Sequence, residues 1–192
     1  MEIFLISITS YLLGSIPFGF LLTKIFLDKD IREIGSGNIG ATNALRTGNK
    51  TIGYSTFLFD ILKAIITVLF VKNNYSEYLF VSSLCVFLGH VFPVWLKFKG
   101  GKGVASYVGI LFCINPIFGL IFISTWILIF LTTKFSSLSS LFGSLSIPLY
   151  IFIFLNNQNI IFFLTMLILI FFTHRDNIKR LLNKEESKTK IY

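Results

Sequence analysis

Cysteine, histidine, proline and acidic residues are all scarce in this chain, with two, two, four and nine of each in 192 residues. Cys85 and Cys113 sit inside apolar runs without metal-ligand spacing, so they form no disulfide framework and read as small buried hydrophobes. The aspartates Asp28, Asp30, Asp60 and Asp176 are scattered, which removes the carboxylate cluster that a metal-dependent CDP-alcohol phosphotransferase needs. His90 and His174 have no third ligand beside them, and no metal or other cofactor is expected. A basic leader is missing as well. The first apolar stretch, Ile3 to Leu22, follows acidic Glu2 and is not closed by a small-residue cleavage pattern, so it is expected to stay and span. No internal repeat, low-complexity tail or linker divides residues 1–192, which read as one domain.

What is present is apolar. Hydrophobic residues make up 54% of the chain, 23 of them phenylalanine, and only 14% are charged. With a mean hydropathy of +0.79, this is an integral membrane protein. Apolar runs fall at about Ile3 to Ile25, Thr51 to Val71, Tyr78 to Leu96, Val104 to Thr133, Leu138 to Leu155 and Ile160 to Thr173. The fourth run is too long for one ordinary span, and Asn115-Pro116 interrupts it where proline ends or kinks a helix. The expected fold is therefore all-α, with about seven short transmembrane helices.

The net charge of +8 would suggest nucleic acid if its carriers were not so placed. With Met1 outside, about seven crossings put segments 24–50, 97–102, Lys134 and 174–192 on one face. That face holds all 17 Lys and Arg except Lys63 and Lys72, which makes it cytoplasmic and places the C-terminus there. A single crossing over residues 104–133 would put Lys134 and the basic tail outside. The opposite loops, Lys72 to Glu77 and Asn156 to Asn159, carry little chemistry. The charge thus answers to a membrane, and no nucleic-acid partner is expected.

Two glycine-rich cationic loops stand out on the basic face. Phe98-Lys99-Gly100-Gly101-Lys102-Gly103 joins two apolar runs, and glycine backbone with mobile lysine charge suits an anion. Gly35-Ser36-Gly37-Asn38-Ile39-Gly40-Ala41-Thr42-Asn43-Ala44-Leu45-Arg46 repeats that chemistry with hydroxyls, amides and a guanidinium. Together they suit two phosphates, or one phosphate gripped from both sides. Gly35-x-Gly37-x-x-Gly40 has dinucleotide-fingerprint spacing but follows a membrane span rather than a strand. Gly101-Lys102-Gly103 lacks the full P-loop spacing, so ATP is not indicated. The bland alternative is that these glycines turn the chain or pack helices closely. Asp60 and Lys63, one turn apart within a span, read as a structural pair. The basic run from His174 to Arg180 also serves as an ordinary cytoplasmic anchor.

Gly14-Ser15-Ile16-Pro17-Phe18-Gly19, the run from Asp30 to Asn43, Gly89-His90-Val91-Phe92-Pro93, Gly100-Gly101-Lys102-Gly103-Val104-Ala105 and His174 to Leu182 closely resemble the PlsY family. These are bacterial membrane acyl-phosphate:glycerol-3-phosphate acyltransferases. The resemblance runs from the first span to the tail. It implies a seven-helix membrane protein with an outward N-terminus and cytoplasmic motifs, matching the charge placement. One departure lies in the tail, where the family commonly has Gly-Thr-Glu and this chain reads Asn183-Lys184-Glu185-Glu186.

The implied reaction moves a fatty acyl group from acyl phosphate to the 1-hydroxyl of sn-glycerol 3-phosphate, giving lysophosphatidic acid and phosphate at the inner membrane. By resemblance, Ser36, Arg46, His90, Lys102, Ser137, His174 and Asn177 are the catalytic set. Gly35, Gly37, Asn38, Gly40, Thr42, Asn43, Lys99, Gly100, Gly101 and Gly103 are the substrate- and phosphate-binding set. Ser137 is selected among its serine neighbours by the stretch Lys134-Phe135-Ser136-Ser137-Leu138. Both substrates are anions, so Arg46, Lys102 and Lys99 would offset their repulsion while the Phe-rich spans line an acyl slot. Neither histidine has Asp five residues on, so the His-x-x-x-x-Asp motif of acyl-CoA-dependent enzymes is absent. An acyl phosphate is already activated, and the leaving phosphate itself can take the hydroxyl proton. The resemblance also leaves room for contact with a soluble enzyme that makes acyl phosphate. A transporter of a phosphorylated small molecule is the alternative, but the inverted repeat common in transporters is not found.

Overall fold

A computed structural model describes residues 1–155 and 159–189, so most of the expected loop at 156–159 lies outside the described residues. No strand occurs among them. The helices are α1 (Glu2–Gly14), α2 (Phe18–Leu27), α3 (Ala41–Leu45), α4 (Lys50–Asn74), α5 (Leu79–Val91), α6 (Val104–Ile114), α7 (Pro116–Thr133), α8 (Ser136–Phe154), α9 (Ile160–Thr173) and α10 (Arg175–Leu182). They form two compact units, Met1–Ile114 and the chain from Asn115 onward.

Five stretches are long and apolar enough to cross a membrane: Glu2–Leu27, Lys50–Asn74, Ser76–Leu96, Pro116–Thr133 and Ser136–Phe154. A sixth arises if α9 and α10, bent by 62° from one another, count as one span. With 11 residues, α6 is about 16 Å long against a hydrocarbon core of about 30 Å. Large apolar side chains such as Ile66, Phe70, Phe152 and Ile168 lie exposed on the outside, where lipid solvates them. The break at Asn115-Pro116 is present, because the Asn115 side chain caps α7 by accepting from Ile117 N at 3.0 Å and Pro116 takes the first helical position.

The first apolar run is not one helix. It stops at Gly14 and restarts at Phe18, across Pro17, which cannot donate to a continuing ladder. Before the break, α1 packs backbone to backbone on α5. A Cβ on Gly14 would run into Val86 O and one on Gly89 into Tyr11 O, while the hydroxyls of Ser10 and Ser82 meet at 2.8 Å. At the break Ile16 O accepts only from Phe18 N among the described backbone groups, at 3.2 Å, and lies outside a helical ladder, which matters below. In the second unit, α7 lies along α8 with Trp126 Nε1 donating to Ser140 Oγ at 3.2 Å, and Phe118 meets Phe163 of α9 edge-on.

Candidate active site

In the first unit, the loop after α2 is braced from within. Asp30 caps the short turn Ile31–Glu33 by accepting from Arg32 N at 2.9 Å, and it accepts again from the Arg32 guanidinium. Hydrogen bonds from that guanidinium hold the Asp30 carboxyl down at about 2. Gly35 and Gly37 then turn the chain at φ +54° and +70°. Asn43, 2% exposed, is the central brace. Its Nδ2 donates to Ile31 O, Ile34 O and Asn38 O at 3.0, 2.8 and 2.8 Å, and its Oδ1 accepts from Ser36 N at 3.0 Å. Asn38 Oδ1 accepts from Gly40 N at 2.9 Å. The Asn43 amide is thus committed to loop shape, as is the Asn38 side-chain oxygen, and these bonds present Ser36, whose residue is exposed. The Arg46 side chain crosses Gly35, where a Cβ would lie 2.7 Å from Arg46 Cδ. Thr42 sits at the start of α3 and is half-buried.

The second loop is fastened to the end of α5. Lys97 and Phe98 take φ +53° and +61°, a conformation bulky side chains seldom hold, and Phe98 N donates back to Pro93 O at 3.0 Å. Gly100 N donates to Val91 O and Gly101 N to His90 O, each at 3.0 Å. Two amides that an anion was expected to use are therefore engaged by α5. The first amides of α6, from Val104 to Ser106, have no preceding helical carbonyl to bond, while Tyr107 N donates to Gly103 O at 2.8 Å. Here the glycines serve close packing. A Cβ at Gly101 would strike His90 Nε2, one at Gly103 the Phe87 ring, and one at Gly100 the carbonyl of His90. Lys102 is half-buried and Lys99 exposed. A single apolar cluster of Ile31, Ile39, Ala44, Ile52 and Leu96 lies beneath both loops and brings them to one end of the unit.

Under the second loop lies a charged group that sequence reasoning left as an isolated pair. Lys63 Nζ is 2.8 Å from Asp60 Oδ1, as expected for residues one turn apart, and also 2.7 Å from Ile16 O and 3.1 Å from His90 Nδ1. Asp60, Lys63 and His90 are 2%, 6% and 4% exposed.

The second unit gathers Ser137 and Asn177, two residues selected by resemblance, on one oxygen. Ser137 Oγ donates to Glu186 Oε1 at 2.7 Å and Asn177 Nδ2 to the same atom at 2.6 Å, while Arg180 Nε donates to Oε2 at 2.6 Å. Burial pushes the Glu186 carboxyl up, but these three donors outweigh it and leave the group below its ordinary range. Sequence reasoning missed Glu186; the acidic pair Glu185-Glu186 set within a basic tail was the available signal. Lys184 turns the tail at φ +61°, so the chain reaches Glu186 without the expected glycine. His174 Nδ1 lies 2.8 Å from Ile170 O, an atom that only accepts, which puts a proton on Nδ1. Among the described residues no group of His, Cys, Asp and Glu could hold a metal ion.

The glycerol-3-phosphate acyltransferase family model matches residues 4–184, across both units. The chain belongs to that family. A glycerol-3-phosphate acyltransferase of Pelagibacter ubique is 68% identical over the full length of both chains. One from Bartonella henselae is 46% identical, covering 96% of this chain and 90% of the relative. A crystal structure of PlsY, an integral membrane glycerol 3-phosphate acyltransferase, in its glycerol 3-phosphate form superposes with a TM-score of 0.91 at 36% identity, over 99% of this chain and 96% of that one. Its lysophosphatidic acid form gives 0.88 at 35% identity, over 98% and 95%. This acyltransferase is accordingly an all-helical integral membrane enzyme, and the transporter reading is not favoured.

Proposed function

We propose that this acyltransferase moves a fatty acyl group from acyl phosphate to the 1-hydroxyl of glycerol 3-phosphate at the cytoplasmic face of the bacterial inner membrane, as one domain spanning both units. The observation that carries the reading is the shared seat of the two cationic loops, with Lys102 half-buried on one and Arg46 crossing Gly35 on the other. Cations held at a water boundary offset the repulsion between two phosphorylated substrates. The acceptor oxygen bonds to the acyl carbon, the acyl–phosphate bond breaks, and the departing phosphate takes the hydroxyl proton. The protein then needs to position and neutralise rather than to supply a strong base. Ser36, Thr42 and the first turn of α6 complete the donors in the first unit. Ser137, His174 and Asn177 are the residues of the second unit that act on substrate. The forms in which PlsY has been crystallised, with glycerol 3-phosphate and with lysophosphatidic acid, support the acceptor and the product.

The donor is tested directly. Purified enzyme in lipid, given labelled glycerol 3-phosphate, is expected to form lysophosphatidic acid from acyl phosphate without added metal and to form none from acyl-CoA. Comparable rates from acyl-CoA, or a strict metal requirement, would overturn the donor. A soluble enzyme that produces acyl phosphate is the partner such a donor requires.

We further propose about seven crossings, with α6 and α9 as short spans, the N-terminus outside and the C-terminus cytoplasmic. Cysteines introduced at Asn49 and Lys188 should then react with an impermeant maleimide only after the cytoplasmic side is opened, and one at Asn74 in intact cells. Labelling of Lys188→Cys from outside would remove one crossing.

A further inference from the structure

Lys63 lies at the centre of a buried arrangement whose other members come from three places: Asp60 on its own helix, Ile16 in the break between α1 and α2, and His90 on α5. An ammonium carries only donors. One points to Ile16 O at 2.7 Å and another to His90 Nδ1 at 3.1 Å, while Asp60 Oδ1 stands 2.8 Å off as counter-charge, outside good hydrogen-bond geometry. Asp60 Oδ1 is 3.5 Å from His90 Nδ1, farther than Lys63, so the ammonium is the ring's partner at that nitrogen. A ring nitrogen facing an ammonium must accept, which puts the imidazole proton on Nε2. That atom faces the glycine loop, since a Cβ on Gly101 would collide with it, and among the described residues it has no hydrogen-bond partner. His90 as a whole is 4% exposed, so this N–H is a donor on a buried ring, aimed at the loop. His174 differs, since Ile170 O holds a proton on its Nδ1.

We propose that Asp60 and Lys63 are positioning residues that hold His90 as its neutral Nε2–H tautomer, so that His90 donates a hydrogen bond to the phosphate on the Gly100–Gly103 loop and is unavailable as a base there. This rests on the reading of that loop as a phosphate site. Lys63 enters the chemistry only through the ring, and the ion pair with Asp60 keeps its charge in place within apolar surroundings. The intramembrane pair thereby gains a function beyond mutual neutralisation.

The test is nitrogen NMR on histidine-labelled enzyme in lipid nanodiscs, with the two rings assigned through His174→Gln. The expected spectrum shows an unprotonated Nδ1 and a protonated Nε2 for His90, the latter moving on addition of inorganic phosphate or glycerol 3-phosphate. A protonated Nδ1, or an imidazolium, overturns the proposal and leaves the loop reading standing, because that reading is scored separately by the KM of Lys102→Ala for glycerol 3-phosphate. A correct tautomer that neither ligand moves, together with an unchanged KM in Lys102→Ala, overturns both. Lys63→Met alone strands a buried carboxylate and is expected to fold poorly. The uncharged double variant Asp60→Asn/Lys63→Met removes that penalty. It is expected to insert normally, to show His90 in mixed tautomers, and to lose at least about tenfold in kcat/KM. Wild-type turnover in that double variant would mean the pair only balances charge, and would overturn the positioning role.

Discussion

Gly101→Leu is expected to abolish turnover, by at least about a hundredfold, while the protein still inserts in the membrane at normal yield. Residue 101 has no room for a side chain, because its Cβ would occupy the place of His90 Nε2. The loop is also held from below by Gly100 N on Val91 O and Gly101 N on His90 O. A leucine must therefore lift the loop from α5 or drive the imidazole away, and either movement misplaces Lys102 and the first turn of α6. A displacement of about 1 Å in a positioning group can cost on the order of a hundredfold in rate. The fold should survive, since α5 and α6 are anchored by buried residues along their lengths, among them Val86, Phe87, Tyr107 and Ile110. Gly48→Ala is the control. Gly48 has φ +86° with nothing within 4 Å of a Cβ, so the change adds local backbone strain but displaces no neighbour. It should retain most of the wild-type rate. Radiolabelled lysophosphatidic acid formation, normalised to inserted protein, decides between the two expectations.

Both loops were legible in the sequence because closely spaced glycines stand beside cations there, between apolar runs that hold few charges. What could not be read was the use to which the glycines are put. In a pattern, a glycine that lets backbone approach a ligand looks the same as one that lets backbone approach His90, and only the fold shows that Gly100 and Gly101 give their amides to α5. Likewise Asn38 and Asn43 look like ligand amides in the sequence, yet their bonds shape the loop and present Ser36. The pair of Asp60 and Lys63 was visible from its i,i+3 spacing. Its link to His90 was not, because that contact joins α4 to α5 across 27 residues of sequence. Glu186 was hidden for a similar reason. Its partners Ser137 and Asn177 are on α8 and α10, and one of two adjacent acids after a basic helix reads as a solvated residue. The apolar runs gave the helices where they occur, apart from the first, which Pro17 breaks. Helix length is the part that periodicity reads least well, and α6 and α9 are the elements in which it decides the number of spans.

Lys102→Ala and Arg46→Ala are each expected to lower kcat/KM for glycerol 3-phosphate by about tenfold to over a hundredfold. A charge-assisted hydrogen bond to a phosphate is worth roughly 1.5 to 3 kcal/mol, and 1.36 kcal/mol corresponds to a factor of about ten. The two positions differ in setting, and the difference should appear in their conservative variants. Arg46 is exposed and lies over Gly35. Its planar fork can bind two phosphate oxygens at once, so Arg46→Lys retains charge but loses the second contact and should recover only part of the rate. Lys102 is half-buried two residues before α6, and Lys102→Arg must fit a larger group into that partly enclosed place. It should recover less than Arg46→Lys does. Raising the salt concentration should weaken substrate binding more at the exposed Arg46 than at Lys102, since screening acts most on solvent-facing charge. Unchanged kinetics in Lys102→Ala together with retained turnover in Gly101→Leu would reduce the second loop to a turn between α5 and α6.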